Sequence, residues 1–329
     1  TIAGGDPISN PLGDQLNIDT STAGTAVVSS NGDGSGSVTG TFPTVAYSEI
    51  ENFAISGEVD IKLDGSTNND QIEILVSGTN IEYYNGGILT VDTALAAEGI
   101  VINYDGQGQI TSSPGDVLNL VGTAASVEYY FADSSSGSIQ VNGSLSDFII
   151  YSGLEPITST VTTTNVTLNY SGVDETITVT DAGGGQTTVD STAGEIITFA
   201  DPTGTLTINT GAGEDIIDLD SLSANFTANL IINGEGDADT LNANGSISLD
   251  TGKNLEFNVE DITVANGITL AASSIAFNAT SVELDGALVS TNVSGDAATI
   301  NVSGSAGGAD LQDAVDIAGA GGIINIAAG

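Results

Sequence analysis

Cysteine, histidine, methionine and tryptophan are all missing from this 329-residue chain, and only Lys62 and Lys253 are basic. Without cysteine there is no disulfide and no thiolate zinc site. Without histidine there is no imidazole base or metal ligand. Against the two lysines stand 43 acidic residues, a formal charge of −41. A field of that sign repels nucleic acid and anionic lipid, so neither is expected as a partner. It also repels itself, which cations or dissolved salt must offset; adaptation to high salt produces a similar balance. No apolar run approaches the roughly 20 residues of a membrane span, so no membrane insertion is expected. The chain opens on Thr1 without a visible signal peptide, as a mature chain or a fragment would. Its acidic, Gly/Ser/Thr/Asn-rich composition suits an extracellular or cell-surface protein.

One short phrase recurs in what remains. Two apolar positions, two apart, close on Asn in LTIN (Leu206–Asn209), LIIN (Leu230–Asn233), LEFN (Leu255–Asn258), IAFN (Ile275–Asn278) and ATIN (Ala298–Asn301). The closing Asn residues are 24, 25, 20 and 23 apart. Looser copies lie upstream: VLNL with Asn119, IQVN with Asn142, VTLN with Asn169 and TTVD with Asp190. Alternation puts the apolar pair of each phrase on one face. Gly, Asn, Asp, Ser and Thr between phrases supply turns. A strand phrase returning every 20–25 residues or so marks a solenoid, because no coil buries its apolar face alone.

The fold class expected is therefore all-β, a parallel β-helix or β-solenoid, right-handed by the crossover rule, with a short helix near the C-terminus. A string of β-sandwiches is the rival; it explains short strands but not the recurrence. Stacking places Leu206, Leu230 and Leu255 above one another, then Ile208, Ile232 and Phe257, about 4.8 Å apart. Each Asn then either bonds the amides above and below it or merely ends a strand as turn residues do.

Three stretches differ in character. Residues 1–155 read as a less regular solenoid holding seven of the eight Tyr, and YSEIENFAI (Tyr47–Ile55) is echoed by YSGLEPITS (Tyr151–Ser159), a larger duplication. Residues 156–304 read as the regular solenoid. Residues 305–329 combine a short amphipathic helix with the strand IINIA, the start of a further coil or domain. Leu311, Val315 and Ala318 share one helix face, with Asp310 as N-cap and Gly319 following. This last segment resembles the opening coil of right-handed parallel β-helix proteins of the pectate-lyase-like type, in which a short helix covers the open end. The resemblance implies polysaccharide chemistry, but elimination of that type needs an Arg or Lys base. Lys62 and Lys253 are separated by about eight coils and cannot share a cleft. No enzyme is expected.

Several acidic turns resemble degenerate copies of the repeats-in-toxin nonapeptide, in which Gly tightens the turn while carbonyl and Asp oxygens bind Ca²⁺. TGAGEDIID (Thr210–Asp218) matches best, at Gly211, Gly213, Asp215 and Ile217; GSTNNDQIE carries Asp70, TSSPGDVLN carries Asp116 and GEGDADTLN carries Asp239. The tandem array of that family is missing here. Stacking offers another route to calcium, since Asp215 and Asp239 have the same spacing as Asn209 and Asn233. Asp218, Asp220 and Asp237 would lie nearby. Calcium, the one cofactor expected, would bind among these residues; the alternative is a solvated acidic face.

The function expected is a non-enzymatic extracellular structural protein, self-assembling into a surface layer or filament and stabilised by calcium. As a compositional class the chain resembles bacterial or archaeal surface-layer, adhesin and filament proteins. An adhesin stalk and a polysaccharide-binding β-helix are the alternatives, with further copies of the chain or a cell-surface glycan as partner. A glycan groove would draw on Tyr83, Tyr84, Tyr104, Tyr129 and Tyr130, residues that otherwise pack within strands.

Overall fold

The computed structural model describes residues 2–3, 15–19, 26–30, 35–50, 52–56, 61–64, 71–77, 80–85, 88–94, 101–105, 116–143, 148–154, 156–224, 226–303 and 311–327. It is all-β, with a largely parallel, solenoid-like sheet, and divides into two compact units, Thr1–Thr162 and Thr163–Gly329.

The second unit stacks strands in three parallel columns. The first contains Thr162–Asn169, Thr205–Asn209, Asn229–Asn233, Asn254–Asn258, Ser274–Asn278 and Val293–Gly295. The second contains Thr176–Asp181, Ile216–Leu219, Thr240–Ala243, Asp261–Val264, Ser281–Leu284, Ala297–Val302 and Ala318–Ile326. A short third column joins Ile247–Ser248, Thr269–Ala271 and Ala287–Val289. Register is strict. Val166, Leu206, Leu230, Leu255 and Ile275 lie one above another, as do Leu168, Ile208, Ile232, Phe257 and Phe277. None of these ten is more than 2% exposed. Burying each such side chain is worth about 1.5–3 kcal/mol, so the columns are the core.

The Asn residues closing the first column form a continuous ladder. Asn209 Nδ2 donates to Asn169 Oδ1 (2.8 Å), Asn233 to Asn209 (2.7 Å), Asn258 to Asn233 (2.6 Å) and Asn278 to Asn258 (2.6 Å). Every amide donates toward the earlier coil. An amide suits this place because it carries both a donor and an acceptor and can satisfy its own copy.

Three outer phrases read differently from their place in the fold. Asp190 is not a ladder position: its strand, Gln186–Ser191, runs antiparallel to Thr176–Asp181 in a hairpin excursion that Ile197–Ala200 completes. The excursion stretches the step from Asn169 to Asn209 to 40 residues without disturbing the ladder. Asn142 ends an antiparallel strand, where its Oδ1 accepts from Ala125 N–H. Asn301 sits in the second column, above Glu283, and accepts from Asn325 Nδ2 at 2.9 Å. Coil shortening causes the switch: Val293 lies directly over Ile275, so the ATIN phrase arrives one strand late.

The helix forms at Leu311–Ile317, but with another face inward. Ala314 and Ile317 are fully buried, whereas Leu311 and Val315 are 50% and 51% exposed. Gly295 explains this. It continues the Leu168-to-Phe277 column without a side chain, and a Cβ there would strike the Ile317 backbone and side chain. Ile317 thus fills the space that Gly295 leaves. Asp310 lies outside the described residues.

The first unit uses the same parallel stacking with more excursions. Ala26–Ser30, Ile61–Asp64, Val101–Asp105 and Phe148–Ser152 form one column. Gln71–Ser77, Val117–Asp133 and Ile157–Ser159 form another. Antiparallel pairs leave or rejoin them: Gly36–Thr39 with Val45–Ser48, Asn80–Asn85 with Ile88–Ala94, and Ser136–Val141 with Phe148–Ser152. The Tyr47/Tyr151 echo has a structural basis. Each Tyr ends such an excursion, is at most 5% exposed, and lies opposite a glycine (Gly36 or Gly137) on the neighbouring antiparallel strand. A side chain at either glycine would collide with the tyrosine ring.

Replacing Asn233 by Ala strands Asn209 Oδ1 and leaves Asn258 Nδ2 with only its 3.3 Å bond to Glu256 Oε1. The expected loss is about 1–3 kcal/mol in denaturant unfolding, because one polar group loses its partner and a second keeps only a weaker one.

Candidate functional site

The wall between the first and second columns of the second unit carries the acidic turns. In three successive coils a seven-residue step links the ladder Asn to the next strand, and its sixth residue is acidic: Glu175 after Asn169, Asp215 after Asn209 and Asp239 after Asn233. In the next coil the turn shortens and Glu260 takes the role. These four form a second ladder beside the first. Glu175 N–H donates to Asp215 Oδ1 (2.9 Å), Asp215 N–H to Asp239 Oδ1 (2.9 Å) and Asp239 N–H to Glu260 Oε2 (3.2 Å). The Asp215, Asp239 and Glu260 carboxylates each cap a backbone donor of the coil before.

These acids are not a solvated face. Glu175, Asp215 and Asp239 are 4%, 1% and 0% exposed. One oxygen of each is satisfied, since Ser191 Oγ donates to Glu175 Oε2. Among the described residues Glu175 Oε1, Asp215 Oδ2 and Asp239 Oδ2 have no hydrogen-bond partner. Asp239 folds back so far that a Cβ on Gly234 would run into Oδ2, which is why that turn begins with glycine. Burial pushes the Glu175 carboxyl up to about 7, with the Asp215 charge adding and the Ser191 bond opposing. Burial likewise raises Asp239 to about 6, against the Asp215 N–H bond, with Asp215, Glu260 and Asp237 adding. Asp215 is raised by burial and by Asp174 and Asp237, opposed by the Glu175 N–H and Thr210.

The remaining sequence candidates disperse. Asp218 and Asp220 lie past the turn on the outer face, where Asn242 Nδ2 donates to Asp218 (2.9 Å) and Asn244 Nδ2 to Asp220 (3.1 Å). Amide donors from the next coil thus meet these charges. Asp237 is exposed at a turn tip, with φ of 57°. Asp116 is buried in the first unit at the head of the strand Val117–Asp133. Asp70 lies outside the described residues. Among the described residues no three acidic side chains converge closely enough to hold a metal ion. The glycines that suggested a calcium nonapeptide serve the turn itself: Gly211 and Gly213 have φ of 94° and 132°, and Glu235 and Asp237 repeat those two places one coil later at 72° and 57°.

Sequence reasoning missed Glu175 and Glu260. The Glu175 signal was present, because Glu175 follows Asn169 by the same step as Asp215 follows Asn209. Of the five candidate tyrosines, Tyr129 is buried in the core and Tyr130 donates its hydroxyl to Glu128 Oε2 at 2.7 Å. Tyr130 also edges a shallow groove of about 470 Å³ with Ile150 and Tyr151. For Tyr83, Tyr84 and Tyr104 the structure describes only the strands that carry them. Comparison with family models, with curated proteins and with solved structures gave no match.

Raised carboxyl values have a definite sign. The native state holds protons on Glu175 and Asp239 that the unfolded chain has released, so stability is greatest near pH 4 and falls as pH rises toward 7. Thermal melts between pH 4 and pH 8 are expected to show that fall, and Asp239→Asn to flatten it and raise the melting temperature at pH 7. Glu235→Gly and Asp237→Gly relieve left-handed strain and are each expected to stabilise by about 1 kcal/mol in denaturant unfolding.

Proposed function

We propose that this chain is a non-enzymatic, extracellular structural protein that self-assembles into a surface layer or filament. The observation that carries this reading is the coil-to-coil register of the second unit's first column, which holds from Thr162–Asn169 through to Val293–Gly295. Two side-chain ladders run beside its hydrophobic columns, and among the described residues Ala318–Ile326 pairs on one edge alone, with Ile323 and Ile326 61% and 62% exposed. A stack of that kind is suited to carrying load and to being extended. The acidic, Gly/Ser/Thr/Asn-rich composition fits an exported, highly solvated surface. In this reading the coil is right-handed, as parallel crossovers are.

Calcium is part of the proposal. The partnerless inner oxygens of Asp215 and Asp239, with Glu175 beside them, have the chemistry of a hard cation's ligands. Backbone carbonyls and water would complete the set, since two or three carboxylate oxygens fall short of the six to eight that calcium takes. A bound cation would also lift the cost of burying these charges at neutral pH.

Electron microscopy and sedimentation of the purified chain with calcium are expected to show regular polymers. Calcium is expected to raise the melting temperature at pH 7 and to leave it unchanged at pH 4, where the carboxyls are protonated. A chain that stays monomeric under all salt and calcium conditions would end the assembly reading, and an unchanged melt at pH 7 would end the calcium one.

A further inference from the structure

We propose that Asn142 is a site of spontaneous deamidation, and that the coil stack shields Asn233 and Asn244 from the same reaction.

An asparagine followed by glycine is open to attack by its own backbone, because glycine brings no side chain between its N–H and the neighbouring carboxamide. Among the described residues the pair occurs at Asn142–Gly143, Asn233–Gly234, Asn244–Gly245 and Asn266–Gly267. The glycine nitrogen gives up its proton and attacks the asparagine Cγ. The N–Cγ bond forms, the Cγ–Nδ2 bond breaks, and Nδ2 leaves as ammonia with that proton. Water then opens the cyclic imide at either carbonyl, leaving aspartate or isoaspartate. Water is the only reagent consumed. The reaction therefore favours a glycine N–H without a partner, a donor on Oδ1 where negative charge develops, and an Nδ2 that nothing holds.

Asn142–Gly143 offers all three. Both residues are exposed, and they follow the strand Ser136–Val141 with φ of 59° and 66°. Gly143 N–H has no partner among the described residues, and nothing lies within 4 Å of where its Cβ would stand. Ala125 N–H donates to Asn142 Oδ1 at 2.7 Å. A backbone N–H can meet only the oxygen of the amide, so this bond also fixes which way the carboxamide points. The donor sits on the atom that becomes an oxyanion, as in sites that stabilise tetrahedral intermediates. Asn142 Nδ2 donates to no described residue and is free to depart.

The stacked pairs are closed. Asn233 has a donor on Oδ1, from Asn258 Nδ2 at 2.6 Å, but its own Nδ2 is held by Asn209 Oδ1 at 2.7 Å. Gly234 is buried and its N–H donates to Asn258 O at 2.9 Å. Asn244 Nδ2 donates to Asp218 and Asp220, at 3.3 and 3.1 Å, and these carboxylates also oppose a second negative charge beside them. Gly245 N–H donates to Leu219 O at 3.2 Å. Gly267 N–H is unbonded among the described residues, so Asn266 stands on the open side of the contrast. The outcomes differ in consequence as well. A carboxylate at position 233 could not donate to Asn209, and the ladder would lose a rung. A carboxylate at position 142 still accepts from Ala125 N–H.

The parent chain, held at pH 8 either folded or in urea and then mapped by peptide mass spectrometry, provides the test. In urea Asn142, Asn233 and Asn244 are expected to convert at comparable rates. In the folded chain Asn142 is expected to convert at least about tenfold faster than Asn233 and Asn244, where hydrogen bonds must open first. Thermal melts before and after incubation establish that the folded sample stayed folded. Equal rates at the three positions in the folded chain would overturn the proposal. Asn142 that converts in urea but stays intact in the folded chain would overturn it too, by showing that the turn is closed to attack.

Discussion

In-register parallel stacking sets every side chain against its own counterpart one coil away, a strand spacing of about 4.8 Å. Each column must therefore be made of a group that tolerates contact with its own kind, and the second unit can be understood from that requirement. Aliphatic and aromatic groups meet it by burial, as Leu206 through Ile275 do, with the Phe257 and Phe277 rings meeting edge-on at 5.8 Å. Carboxamides meet it because each is both donor and acceptor, hence the run from Asn169 to Asn278. Carboxylates meet it poorly. They persist at Asp215 and Asp239 because each also caps a backbone N–H, and their raised affinity for protons measures the remaining conflict.

The same requirement explains where regularity stops. When Gly295 follows Phe277 the column loses its side chain, and Ile317 from the following helix enters the gap. When the turn shortens before Glu260, a longer acid reaches the place that Asp239 held. The hairpins solve a separate problem. They leave the stack as antiparallel strands and return in register, packing a tyrosine on a glycine in the first unit. The excursion in the second unit sets Phe199 opposite Thr187 instead, so the tyrosine hydroxyl is dispensable to the device.

Much of this was legible in the sequence because stacking copies one-dimensional spacing into three dimensions. The columns of Leu206 and Ile208, the Asn ladder from Asn209 to Asn278 and the stacking of Asp215 on Asp239 follow from spacing alone, whereas the rung from Asn169 to Asn209 spans 40 residues and does not. What failed did so for physical reasons. Strands in an antiparallel excursion alternate just as parallel ones do, so Asp190 looked like a rung. An abbreviated coil moved Asn301 to the neighbouring column. Amphipathic pattern selected Leu311 and Val315 as the inward helix face, but the space over Gly295 admits Ile317, and Ala314 is buried with it. Burial of the acids was illegible, because composition predicts solvation for most Asp residues and only the fold shows which ones line a turn interior.

The hairpin tip at Gly183–Gly185 has three consecutive residues with φ of 80°, 68° and 79°, and nothing lies within 4 Å of where their side chains would be. Chain added there would project from a stack whose ladder already bridges a 40-residue detour. The tip is thus a natural graft point, where a foreign peptide could be displayed at one fixed place on the chain without touching the rungs that hold the stack.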